Sequence, residues 1–123
     1  MKYIILLGDE TLTLESIKAI NHYGSIRSYD VNKTRYCVVY DTEHIFYDYG
    51  HVSNYDYDEY ELIKIPFDNI CSITMVYKTE ARMRIILQQD NFLKGVYVDN
   101  DFKLIVPIEE YIRLGMPVGH SKD

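Results

Sequence analysis

Ile26-Arg27-Ser28-Tyr29-Asp30-Val31, Arg35-Tyr36-Cys37-Val38-Val39-Tyr40 and His44-Ile45-Phe46-Tyr47-Asp48-Tyr49 are three successive runs dominated by β-branched and aromatic residues. Such side chains fit a pleated, half-buried backbone better than a helix. The spacers between them, Asn32-Lys33-Thr34 and Asp41-Thr42-Glu43, are polar and short enough to close hairpins. The stretch therefore predicts an antiparallel meander.

Toward the N-terminus, Lys2–Leu7 is a further strand, ended by Gly8-Asp9-Glu10. The period then changes. Leu14, Ile17 and Ile20 recur every three residues, Thr13 can cap, and Gly24 lies just past the end, which predicts a helix over 13–23. Toward the C-terminus, Gly50 to Tyr60 is polar and tyrosine-rich. A short strand Leu62–Ile65 follows, stopped by Pro66, and Ile70–Tyr77 is another. Residues 79–94 hold good helix formers with Gly95 to end them. Met83, Ile85 and Leu87 also alternate as a strand would, and helix is the preferred reading. Val96–Val98 and Phe102–Val106 form a hairpin about Asp99-Asn100-Asp101. A last helix begins with Pro107 at its first position, carries Glu109-Glu110 at its positive end and stops at Gly115; Val118–Asp123 frays. The expectation is an α+β domain: a mainly antiparallel sheet with an N-terminal helix and one or two further short helices packed on it. Regular βα alternation, as in a doubly wound nucleotide fold, is absent.

The chain has 123 residues, a length for one domain spanning 1–123. With 47% hydrophobic and 26% charged residues it has the balance of a folded globular protein. The apolar run after Lys2 spans only Tyr3 to Leu7, short of the roughly 7–15 residues of a signal h-region. No run approaches the roughly 20 residues of a membrane span. Cys37 and Cys71 lie inside apolar strand-like runs and read as reduced core residues, so a cytoplasmic protein is expected, although a disulfide between them stays open.

The net charge is −6, against a nucleic-acid binder held by phosphate contacts. That charge is local. From Tyr36 to Ile63 there is no lysine or arginine, and Asp41, Glu43, Asp48, Asp56, Asp58, Glu59 and Glu61 give −7; the remainder sums to +1. The same stretch holds seven of the chain's 13 tyrosines. Clustered carboxylates steer a cationic protein into encounter, and tyrosine supplies contact area at low entropic cost. The candidate partner-binding residues are Tyr47, Asp48, Tyr49, Tyr55, Asp56, Tyr57, Asp58, Glu59, Tyr60 and Glu61. The competing reading is a half-buried strand in which the rings of Asn54-Tyr55-Asp56-Tyr57-Asp58 pack inward and the acids simply face water.

Other chemistry finds little footing. His44, Asp48 and His51 could converge across a hairpin or loop as a small metal site, which would make the chain a metal-binding domain or metal-dependent enzyme. There is no HExxH and no zinc-finger spacing. The calcium-loop start at Asn54-Tyr55-Asp56 fails at Glu59, where a glycine is needed, and at Ile65, where a glutamate is needed. No GxSxG or phosphate-binding glycine loop occurs, and Lys78, Arg82 and Arg84 read as a solvated helix face. A third possibility is a structural or regulatory module that assembles with itself through a sheet edge.

In Tyr47-Asp48-Tyr49 and Tyr55-Asp56-Tyr57-Asp58-Glu59-Tyr60-Glu61, the chain resembles the small acidic immunity proteins that bacteria make against their own polymorphic or contact-dependent toxins. The resemblance covers about a sixth of the chain, Asp41 to Glu61, and is one of style without a shared motif. It implies a cytoplasmic protein without cofactor or enzymatic activity, which blocks the active site of a basic, nuclease-type toxin domain by occupying it.

Overall fold

Alternation along the strands sorts the sheet into two unlike faces. The computed structural model describes residues 2–52 and 56–119. Among them are the strands β1 (Lys2–Gly8), β2 (Arg27–Asp30), β3 (Arg35–Val39), β4 (His44–His51), β5 (Cys71–Tyr77), β6 (Tyr97–Asp99) and β7 (Ile105–Pro107). They form one antiparallel sheet in the order β2-β3-β4-β5-β1-β6-β7. The expected meander is present as β2-β3-β4, and the β-strand from Cys71 extends it. Four short helices accompany the sheet: α1 (Leu14–Lys18), α2 (Glu59–Leu62), α3 (Glu80–Leu87) and α4 (Ile108–Arg113). The protein is thus α+β and mostly sheet.

Register pairs Ile4 with Met75, Leu6 with Ile73 and Val98, and Tyr47 with Met75. These residues share one face, and α1, α3 and α4 cover it through Leu14, Ile17, Met83, Ile86, Ile108 and Tyr111. Burying such side chains stabilises the fold by about 1.5–3 kcal/mol each, which makes this face the main core. The opposite face is covered at one end only. There Leu7 and Ile105 meet Tyr57 and Ile65 in a second, smaller cluster. The segment from Asp56 to Ile70 provides that cover and carries α2.

Several elements differ from the sequence reading. The helix expected over 13–23 is only Leu14–Lys18, held by a capping box between Thr13 and Ser16. It stops at Ala19 because tertiary bonds claim the following backbone. The Asn21 carbonyl accepts from the amides of Gln89 and Asn91, and His22 turns into the core. Gly24 then takes φ +85°, a left-handed turn open to glycine. No strand forms at Leu62–Ile65; α2 ends there instead. Within 79–94 the structure has the helix α3, capped by the Thr79 hydroxyl and ending at Gln88, so Gly95 lies well past it. Arg82 and Arg84 are not a solvated face. The Arg82 guanidinium sits 4.0 Å from the Tyr40 ring centroid and 3.5 Å from the Glu43 carboxylate, and Arg84 donates to the Met116 carbonyl. Pro107 closes β7 and is the N-cap of α4 rather than its first residue. Val118 is buried in the main core, so the chain is anchored to at least that point; residues 120–123 of the expected tail lie outside the described residues.

Candidate partner-binding surface

The sequence Asp58-Glu59-Tyr60-Glu61 builds its own helical turn. The Asp58 carboxylate accepts from the Glu61 amide at 2.8 Å, and the Glu61 carboxylate accepts from the Asp58 amide at 3.0 Å. This reciprocal cap satisfies two otherwise orphaned N–H groups and places negative charge at the positive end of the turn. Tyr57 fixes the turn to the sheet. Its ring belongs to the smaller apolar cluster, and its hydroxyl donates to Asp99 Oδ2 at 2.6 Å.

Asp99 closes β6 and is 6% exposed. Its second oxygen accepts from the Asp101 amide at 2.7 Å, which shapes the turn between β6 and β7. Burial raises the Asp99 carboxyl from its ordinary value, while the bond from Tyr57 works in the opposite direction. The Tyr57 phenol is pushed far above its ordinary value by burial and by the Asp99 carboxylate. Tyr3 donates to Asp101 Oδ2 at 2.5 Å, tying the same turn to β1.

Between α2 and this turn lies a cleft of about 390 Å³. Asp56, Glu61, Asp99 and Asp101 line it against a single lysine, Lys103. Low-dielectric walls around a concave surface with an excess of carboxylates focus its negative potential outward. Tyr60 and Ile63 of the α2 region and Phe102 of the turn are 74%, 81% and 62% exposed. Large exposed apolar side chains next to solvent-accessible acids are a composition that suits a protein-binding patch.

The structure gathers some of the expected site residues and disperses others. Asp56, Tyr57 and Glu61 line the cleft, and Asp58, Glu59 and Tyr60 lie between them in the chain, in the cap and first turn of α2. Tyr57 is nevertheless a buried anchor for its own chain, and neither a strand nor a fully solvated face describes 56–58. Tyr47 is fully buried, with its hydroxyl 2.7 Å from His22 Nε2, so it cannot meet a partner. Asp48 is bound by Arg35 at 2.9 Å on the sheet face. Tyr49 is half-buried beside His51 and Cys71. Tyr55 lies outside the described residues. Asp99, Asp101, Phe102 and Ile63 were not anticipated; the Asp99-Asn100-Asp101 turn signal was legible, but not its meeting with Tyr57 across 42 residues.

His44, Asp48 and His51 do not converge. They belong to one extended strand, β4, whose residues 44 and 51 are separated by about 23 Å at a rise of 3.3 Å per residue. Among the described residues no group of three or more His, Cys, Asp or Glu side chains is placed to hold a metal ion. Cys37 and Cys71 are free thiols, both buried. No described helix is long and apolar enough to cross a membrane.

No family model matches the chain, and no curated protein or solved structure is significantly similar to it.

Proposed function

We propose that the protein is a cytoplasmic, non-enzymatic inhibitor that binds a basic protein partner, as an immunity protein does a nuclease-type toxin domain. The observation that carries this reading is the cleft in which four carboxylates face one lysine, with Tyr60, Ile63 and Phe102 exposed within two residues of its lining. A partner lysine or arginine entering the cleft exchanges water for carboxylate oxygens. The exposed rings and Ile63 then exclude solvent from those pairs, the arrangement of an interface hot spot. A domain that handles nucleic acid carries the cationic surface that complements such a cleft, and a bound inhibitor occupies the place of the phosphate backbone.

The test is binding of the purified protein to the product of its adjacent gene at low and high salt. The expected result is tight association that weakens with salt and silences the neighbour's toxic or nuclease activity. Reversing Asp56 and Glu59 to lysine is expected to slow association while leaving the circular-dichroism spectrum unchanged. Association unaffected by that double reversal would remove the cleft from the interface.

A further inference from the structure

We infer that the hollow where β4 and β5 part, at the opposite end of the chain's open sheet face from α2, binds a small apolar carboxylate. This inference is independent of the acidic cleft. The β4–β5 ladder runs from His51–Cys71 to Phe46–Val76. Beyond that pair lies a groove of about 610 Å³. Phe46 and Val76 supply apolar wall, and His44 and Lys78 stand beside them.

One wall of the groove is held by a ring–guanidinium contact. The Phe46 ring lies against the Arg35 guanidinium, 4.1 Å from its centroid, and is stacked parallel to the His44 imidazole at 6.1 Å. The Arg35 contact favours one rotamer of the ring before any ligand binds, which lowers the ordering cost of binding.

The charge of the groove opposes that of the molecule. The one acid lining it, Glu43, has one oxygen accepting from Thr79 at 2.8 Å and the other facing Arg82. Lys2 is held by Glu80 at 2.8 Å. Lys78 is exposed and enters no ion pair among the described residues. On a chain of net charge −6, the groove thus offers an ammonium and an imidazole beside apolar walls. An aliphatic chain lying on Phe46 and Val76, with its carboxylate toward Lys78 and a ring N–H of His44, satisfies both features.

The test uses decanoate below its micellar concentration, with decanol and decyltrimethylammonium as chain-matched controls, followed by titration calorimetry on the full chain. Decanoate is expected to bind saturably at one site. Decanol and Lys78→Glu are each expected to weaken binding about tenfold, the scale of one charge contact near a protein surface. Phe46→Leu, which keeps an apolar wall, is expected to retain the preference for decanoate over decanol. Glu10→Lys, exposed in the turn after β1, is expected to change nothing. Equal binding of decanol, an unchanged affinity in Lys78→Glu, or no saturable binding would overturn the inference. So would a blocked peptide with phenylalanine between two aspartates binding where decanoate does not, since that assigns the groove to a protein partner.

Discussion

Replacing Tyr47 by phenylalanine removes one oxygen atom and tests the polar heart of the main core. His22 is 5% exposed, and its Nδ1 lies 3.2 Å from the Ile20 carbonyl. A carbonyl only accepts, so Nδ1 carries the proton and Nε2 is the acceptor of the Tyr47 hydroxyl at 2.7 Å. Tyr47→Phe leaves that nitrogen buried without a donor, which costs about 1–3 kcal/mol. For a chain of this length that corresponds to a fall of ~4–12 °C in Tm. The same geometry sets a pH dependence. Burial lowers the His22 pKa below its ordinary value of 6.5. The stabilisation from the neutral ring is complete above about 6.5 and is lost as pH falls toward the lowered value, by at most ~1.4 kcal/mol per pH unit. In the acid form both ring nitrogens donate, and the Tyr47 hydroxyl must then find another acceptor in a fully buried place. Thermal unfolding at pH 7.5 and 5.5 measures both effects, with His22→Gln as the variant that lacks the titrating ring. A Tyr47→Phe protein within 0.5 kcal/mol of the parent, or an unchanged loss between those pH values in His22→Gln, would refute this reasoning.

Tyr57→Phe removes a bond to a buried carboxylate and is expected to lower stability by about 1.5–3 kcal/mol, read by urea unfolding. It is also expected to speed amide exchange in Asp58–Leu62 before it does so in β5. Thr79→Ala strips α3 of its cap and Glu43 of a donor, for an expected loss of ~1–2 kcal/mol in the same assay. Cys37 and Cys71, buried and unpaired, are expected to react with a thiol reagent slowly in the native protein and in two equivalents under denaturant. Rapid reaction of either thiol without denaturant would contradict their placement.

What was legible in the sequence was mostly local. The runs at 26–31, 35–40 and 44–49 gave the meander because side-chain shape and three-residue spacers act between neighbours. A hairpin at Asp99-Asn100-Asp101 was legible for the same reason, but its turn is displaced toward the C-terminus: Asp99 closes β6, and Phe102, expected to open the next strand, lies in the turn before β7. The helix from 13 was overextended because its end is set by Gln89 and Asn91, which reach Asn21 across about seventy residues. The strand expected at Leu62–Ile65 failed on a signal that was present: the Asp58 and Glu61 pair is a capping box one turn upstream. Tyr47 was placed on the surface by composition, although strand alternation with Ile45 assigns it to the core. The acidic cleft was half legible. Its α2 side is a run of adjacent acids, whereas Asp99 and Asp101 join it through the placement of β6 beside β1, a long-range choice no local pattern encodes.

The one-sided cover of the sheet separates two duties among different residues. The main core lies on the face of α1, α3 and α4, while α2 is attached to the other face by a small cluster and the Tyr57 hydroxyl. Glu59, Tyr60 and Ile63 face solvent and contribute little to folding, so changes there are nearly neutral for stability. On the proposed reading, a lineage of such chains exchanges one partner for another by drift along α2 at little cost to the fold.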